Sequence, residues 1–307
     1  MNLKDRAFLR LYPLLYWHSF NLFNHHKLNA KYHSIYLHYL EKNFPEIIHK
    51  YQRLTPPPAT PIPPDAPIWV MWLQGEQHMP PIVKACYNNL KKHAGQHPII
   101  LLTHHNLTDY LKASPLWDDH ITRLAQQKTI TLTKMSNYAR LCILHAHGGI
   151  WVDATLWLNQ PINQLTHGLS FLSGRANTNN NIEVAEGKWT TFFIGCNKGN
   201  PLMSFIYEIL LAHLRREHRY IHYFMFDYAF VVAYNHLPYV RDMIAPLPIM
   251  PDKFHTLRPM LSQPLSLPYL NSLRAEVPFF KLTYHADLRP TTPDGQPTYY
   301  GWFISQH

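Results

Sequence analysis

Two carboxylates and one guanidinium are the groups in this chain best placed to do chemistry: Asp153, Asp227 and Arg140. Asp153 closes the short apolar run Ile150, Trp151, Val152, and a strand that ends on a carboxylate delivers a charged group to a site. Asp227 stands alone in the apolar and aromatic stretch YIHYFMFDYAFVVAYNHLP. A buried carboxylate there needs partners, because an unpaired buried charge is very unfavourable.

The elements that must position these groups can be read around Lys134 to Leu158, KMSNYARLCILHAHGGIWVDATLWL. Ser136 is a suitable N-cap, the near-continuous apolar content of Ala139, Leu141, Cys142, Ile143, Leu144 and Ala146 predicts a buried helix, and Gly148 and Gly149 end it. The helix is therefore expected over 136–147, followed by a core strand. Spacings of three and four residues set Asn137 and Ser136 beside Arg140, near an N-terminus whose free N–H groups favour anions. Upstream, residues 68–73 (IWVMWL) and 98–103 (PIILLT) predict buried strands, while 80–93 and 106–113 predict helices, the second capped by Asn106. The stretch TRLAQQKTITL reads as helix running into strand. Strands alternating with helices imply an α/β fold with a mainly parallel sheet and ligands at the carboxyl ends of the strands.

The central stretch resembles the core motif of bacterial capsular polysaccharide synthesis proteins and of the related glycosyltransferase family 32. In that motif Ser-Asp-x-x-Arg leads through Gly-Gly to Asp-x-Asp or Asp-Ala-Thr. Ser136, Asn137, Arg140, Gly148, Gly149, Asp153, Ala154 and Thr155 are the matching residues. The resemblance implies a GT-A, Rossmann-like fold and a nucleotide-sugar donor. Asn137 departs from the family's Asp, keeping hydrogen bonds but no charge. Thr155 departs from the second carboxylate, leaving Asp153 as the candidate ligand for Mn2+ or Mg2+. Such an ion needs only one or two protein carboxylates when a diphosphate supplies the rest.

By the same resemblance, IWVMWLQG matches the family's first strand, so that Trp72 with Leu73, Gln74 and Gly75 would line the donor nucleotide pocket. Ser136 and Asn137 would bind sugar or ribose hydroxyls, Arg140 would orient the donor sugar, and Gly149 and Thr155 complete the donor set. Asp227 falls in a segment similar to the family's Tyr-Phe-x-x-Asp-Tyr element and would contact the acceptor or the reacting sugar. VPFFKLTYHADLRP resembles the closing Lys-Leu-Thr-Tyr element, from which Lys281 or His285 would reach the diphosphate from the side opposite Asp153.

Outside this core, residues 1–53 read as a basic, aromatic-rich helical appendage, either a cap packed on the rest, which we favour, or an interfacial helix on an anionic membrane. Seven prolines make 54–67 a stiff linker, and 68–307 is the expected catalytic domain, with a donor half at 68–158 and an acceptor side at 159–307. Strands are expected within 168–174 and 190–199, flanking an asparagine-rich loop, then a helix after Asn200 and irregular surface from 244 to 278.

The formal charge of +9 favours an anionic partner, but no compact basic block or nucleic-acid motif is present, so nucleic acid is not expected as that partner. Cys86, Cys142 and Cys196 lie in apolar surroundings and fit free buried thiols of a reducing compartment. None of the histidine pairs has zinc spacing, and no Gly-x-Gly-x-x-Gly or Walker loop occurs. Neither a spanning apolar run nor a secretory leader is evident, so a cytoplasmic protein is expected, with peripheral contact at the inner membrane if its acceptor is lipid-linked.

The expected activity is transfer of a hexose from a nucleoside diphosphate sugar, by the resemblance with retention, to a capsular polysaccharide or lipooligosaccharide acceptor. The rival reading is a non-catalytic glycan-binding or assembly subunit, motivated by Asn137 and Thr155. A phosphodiesterase or nuclease lacks the paired carboxylates of two-metal chemistry.

Overall fold

From Ile68 onward, short apolar strands alternate with amphipathic helices. In the computed structural model, which describes residues 7–9, 11, 26–127, 130–178, 181–218, 222, 224–285 and 287–306, they build a mixed α/β fold. The strands are β1 (Ile68–Met71), β2 (Ile99–Leu102), β3 (Gly149–Val152), β4 (Leu156–Leu158), β5 (Phe171–Ser173), β6 (Arg175–Asn177), β7 (Phe193–Cys196), β8 (Ile249–Pro251) and β9 (Phe279–Lys281). The central sheet has the order β2-β1-β3-β7-β5, with β1 parallel to both β2 and β3, and β7 antiparallel to both β3 and β5. Four strands thus point one way and β7 alone is reversed, in agreement with the mainly parallel sheet expected from the alternation. From β1 the chain crosses first to β2 on one side and then to β3 on the other. The strand order therefore reverses between β1 and β3, where α/β sheets open a crevice at their carboxyl ends.

Period-two alternation decides what each face of the sheet meets. Trp69 and Trp151 pack with the helices Leu132–His147, Pro201–Glu217 and Met225–His236, whereas Ile68, Val70, Ile150 and Val152 pack with the helices Pro81–His93, Leu267–Glu276 and Tyr299–Ile304. Asp153 is two residues beyond Trp151. It shares that residue's face and so looks toward the helix that carries Arg140.

Gly148 and Gly149 do more than end that helix. Their φ values are +67° and +99°, and a Cβ on Gly149 would lie 2.3 Å from the Pro67 carbonyl oxygen while one on Gly148 would lie 2.6 Å from the Lys198 amide nitrogen. Only glycine lets the chain reverse this close to its neighbours.

Several elements differ from the sequence expectation. The central helix starts at Leu132 and is capped by Thr131, whose hydroxyl accepts from the Lys134 N–H, so Ser136 is an interior residue that donates to the Thr133 carbonyl instead. The helix-terminal anion argument consequently fails for Ser136, Asn137 and Arg140. No strand forms at 130–132, because Leu132 is already helical; 128 and 129 lie outside the described residues. β2 is half-exposed rather than buried, since it is the sheet edge. Asn106 stands at its helix's N-cap position, but its side chain bonds Thr103 and the Leu101 carbonyl. Within 244–278 the helix Leu267–Glu276 and the buried Phe254, Leu257 and Leu261 replace irregular surface.

The helices His26–Asn43 and Pro45–Gln52 share one buried cluster with Pro201–Glu217 and Met225–His236 through Tyr36, Leu40, Ile48 and Tyr51. Of the apolar series Leu9, Leu11, Leu14, Leu15, Trp17, Phe20, Leu22 and Phe23 behind the membrane alternative, Leu9 is buried, Leu11 is exposed, and the others lie outside the described residues. No helix among the described residues is long and apolar enough to cross a membrane. Residues 54–67 run without regular structure and pack through Ile62, whose N–H donates to the Leu169 carbonyl at 2.8 Å. The three cysteines are free and buried.

Candidate active site

Asp153 is the centre of a charge cluster at the carboxyl end of β3. Its Oδ1 accepts from Arg140 Nη2 at 3.0 Å and from the Trp151 indole at 3.0 Å, and its Oδ2 accepts from Lys281 Nζ at 2.7 Å. Each partner follows from the fold. Trp151 shares the strand face, Arg140 lies on the helix covering that face, and Lys281 ends β9, which pairs with β4 in the register Leu156↔Lys281. The turn Asp153-Ala154-Thr155 joins β3 to β4, so Lys281 also reaches Thr155 Oγ1, at 2.9 Å. The Arg140 guanidinium is stacked 5.0 Å from the Trp151 ring and donates to Asn137 Oδ1 at 3.3 Å.

The side-chain exposures are 28% for Asp153, 5% for Arg140 and 18% for Lys281, so the cluster is a crevice floor with one open side. Burial alone would raise the Asp153 carboxyl, but Lys281 and Arg140 outweigh it and hold it below the usual carboxylate range.

Asp227 shows the opposite balance. It occupies the first turn of Met225–His236, next to Phe226, whose ring lies 5.6 Å from the Arg140 guanidinium carbon. The Trp189 indole donates to Asp227 Oδ1 at 3.1 Å, and Trp189 is itself stacked on Phe230 at 3.9 Å. Burial, reinforced by Glu183 and only partly offset by Trp189 and Arg140, pushes the Asp227 carboxyl up to about 7. Glu183, exposed at the rim, is also raised, by partial loss of hydration and by Asp252, against the pull of Arg258. His255 is pushed down to about 4 by burial and by the cations Arg258 and Lys281. One recess therefore combines fixed cations with a carboxyl that titrates near neutrality, a combination suited to binding an anion and managing a proton beside it.

Linkage gives this recess a testable pH signature. Between about pH 4 and 7 folded Asp227 keeps a proton that the unfolded chain has lost, so stability falls as pH rises through that window and is flat above it. Asp227→Asn is expected to raise the melting temperature relative to wild type at pH 8 and to leave it unchanged at pH 4, measured by scanning calorimetry across the range. A gain of equal size at both pH values would show that Asp227 does not titrate as described.

A family model described as capsular polysaccharide synthesis protein matches residues 17–301. The chain belongs to that family. No curated protein matches it. Among solved structures it is similar to the PaToxG glycosyltransferase, at 15% identity with a TM-score of 0.42 over 69% of this chain and 83% of that one. It is also similar to the apo WbbM bifunctional glycosyltransferase, at 11% identity and a TM-score of 0.41 over 78% of this chain. The chain spans half the length of the latter.

In this capsular polysaccharide synthesis protein the residues picked out from sequence do not all converge. Asp153, Arg140, Asn137, Thr155 and Lys281 are in direct contact with one another, and Asp227 joins them through Arg140. Lys281 does not approach from the side opposite Asp153; it binds Asp153 itself. Trp72, Leu73, Gln74 and Gly75 sit just past β1, at the same end of the sheet as Asp153 past the parallel β3. The His285 ring lies 3.9 Å from that of Tyr284 at a tilt of 37°, and Tyr284 meets the edge of Trp72 at 5.3 Å, so His285 lies on the same side as Trp72. Gly149 begins β3, roughly 13 Å of strand from Asp153. Its constraints are those of the turn.

Sequence reasoning missed Trp151, Trp189, Glu183, His255 and Arg258. Trp151 was recoverable from the two-residue period that aligns it with Asp153. The others sit in a polar loop and a proline-rich stretch, where no periodicity marks them.

The donor set does not fit the expected Mn2+ or Mg2+ at Asp153. Both carboxylate oxygens already accept from cations, Thr155 supplies no charge, and the trio Asp153, Arg140 and Lys281 is net positive before any ion arrives. A hard divalent cation seeks several oxygen ligands and would have to displace Lys281 to obtain two. Among the described residues no group of three His, Cys, Asp or Glu side chains is arranged to hold a metal ion.

Proposed function

We propose that this chain is a glycosyltransferase that moves a hexose from a nucleoside diphosphate sugar, in our reading a UDP-sugar, to a capsular polysaccharide or lipooligosaccharide acceptor, with retention. The observation that carries the reading is the strand-order reversal between β1 and β3, with Trp72 to Gly75 just beyond β1 as one lip and the Asp153, Arg140, Lys281 cluster just beyond β3 as the other. The nucleotide lies against the first lip and the diphosphate and sugar against the second.

In the transfer the bond between the anomeric carbon and the diphosphate oxygen breaks, with its electron pair leaving on the nucleoside diphosphate. The acceptor hydroxyl oxygen forms the new bond and gives up its proton. Lys281 takes the place assigned to a divalent cation: its ammonium touches both ends of the Asp153-Ala154-Thr155 turn and offsets the leaving charge. Arg140, held by Asp153 and Asn137, orients the donor sugar. Asp227 binds the acceptor hydroxyl and, once ionised, receives its proton, which places the rising limb of activity near pH 7. Residues 68–158 form the donor half and 159–307 the acceptor side, with the lipid end of a lipid-linked acceptor held at the membrane.

Thermal shift against UDP, GDP and CMP, each with Mn2+ or with EDTA, tests this reading, because a ligand that binds only the native state raises its stability by about 2.7 kcal/mol at a hundred times Kd. One nucleotide should raise the melting temperature, equally in both buffers. No shift with any nucleotide would overturn the transferase reading in favour of a non-catalytic glycan-binding subunit.

A further inference from the structure

A groove of about 520 Å3 lies beside the site and is used by none of the steps above. One wall is the helix Met225–His236, through Val231, Tyr234 and Asn235; the facing wall is the helix His26–Asn43, through His33, Ser34, Leu37 and Glu41. Val231 and Tyr234 follow Asp227 at four and seven residues, the spacing that keeps side chains on one helix face. The groove thus continues along the helix face that presents Asp227. Its floor at that end is Trp189, the residue whose indole holds Asp227.

The lining is mixed, with the polar Lys188, Glu186, Asn235 and Ser34 set among Trp189, Tyr234, Leu37 and Val231, the apolar side chains making the larger share of the surface. Glu186 is compensated locally by Lys188 at 2.6 Å, and Glu41 is hydrogen-bonded to His236 Nε2 at 2.9 Å. Such a surface offers directional donors and acceptors without strong net charge, which suits hydroxyl-rich neutral sugars better than a diphosphate or an acyl chain. The groove edge is also held in an unfavourable geometry. Glu186 adopts φ +48° and is followed by Gly187 at +73°, and a Cβ on Gly187 would lie 2.5 Å from the Ala176 carbonyl oxygen. The rim is tied to β6 at this point, where the Ala176 N–H donates to the Gly187 carbonyl at 2.8 Å.

We propose that this groove binds the sugar units of the acceptor glycan that precede the reacting hydroxyl, with the helix His26–Asn43 as the wall that selects them. The inference rests on the transferase reading. It gives the N-terminal helical segment a role in substrate choice in addition to packing.

The test uses the full chain and two groove-filling variants at exposed positions on opposite walls, Asn235→Trp and Ser34→Trp, neither of which touches the Asp153 cluster. Wild type and variants are applied to an array of neutral and N-acetylated di- to tetrasaccharides, and the UDP, GDP and CMP thermal shift is recorded on the same samples. The expected result is a glycan signal in wild type that falls at least tenfold in both variants while the nucleotide shift is unchanged. Glycan binding equal in all three proteins, or absent from wild type, would overturn the groove assignment. Loss of the nucleotide shift from wild type would overturn the transferase reading independently.

Discussion

Asp153→Asn is expected to reduce transfer by more than about a thousandfold and to lower stability by about 3 kcal/mol, because the substitution removes a charge that two cations share. The catalytic part follows from position. Without the carboxylate, the Arg140 fork and the Lys281 ammonium lose the group that fixes both, and a misplacement of about 1 Å can cost two orders of magnitude. The stability part follows from burial. Arg140 is only 5% exposed, so asparagine takes from a buried guanidinium the carboxylate it donates to, and removing one partner of such a pair costs about 3–5 kcal/mol. For a chain of this length that corresponds to a fall in melting temperature of roughly 5 °C.

The two effects separate in the double variant Asp153→Asn/Arg140→Met. Methionine fills much of the volume above the Trp151 ring without bringing a charge, and replacing a buried ion pair by apolar groups is often neutral. The double variant should regain most of the lost melting temperature yet stay inactive, as read by calorimetry and by product formation on the same preparation. Recovery of activity along with stability would mean that Asp153 serves the fold alone.

The parts of this architecture that were legible in the sequence are those where local chemistry and burial agree. Ile150, Trp151 and Val152 form a strand because β-branched and aromatic side chains after two glycines have nowhere else to go, and Asp153 must then stand at its end. The parity of Trp151 and Asp153 fixes their common face, so the contact with Arg140 needs only the helix above it. Where the reading failed, a competing residue of similar propensity won. Thr131 caps the central helix in place of Ser136, a full turn earlier. That extra turn moves Asn137 and Arg140 away from the helix terminus and makes Asp153, rather than free N–H groups, the partner of the guanidinium. Lys281 could not be placed because the pairing of β4 with β9 joins Leu156 to Lys281, 125 residues apart, and no local pattern encodes that register. Trp189 was hidden in the same way: its stacking on Phe230 and its bond to Asp227 bring together a polar loop and a helix that neither periodicity nor composition relates.

Lys281→Ala should lower transfer by about a hundred- to a thousandfold, the loss typical when one preorganised donor to a developing negative charge is removed, with little change in donor KM. The argument turns on where the ammonium sits. At 2.7 Å from Asp153 Oδ2 and 2.9 Å from Thr155 Oγ1, it occupies the position from which a cation bridging that turn would face a diphosphate. Wild type should accordingly tolerate EDTA. Removing the lysine changes the electrostatics of the turn as well as its donor count: Asp153 keeps Oδ1 on Arg140 and Trp151 but frees Oδ2, and Thr155 frees its hydroxyl. Two oxygens then face the leaving group with one fewer cation between them, and the variant should recover a measurable part of its activity on adding millimolar Mn2+ while wild type does not. Titrating Mn2+ into both proteins under identical donor and acceptor concentrations gives the answer directly. Wild-type activity abolished by EDTA and restored by Mn2+ would show that a metal displaces Lys281 in the working enzyme. A variant unaffected by the mutation would remove Lys281 from the reaction altogether.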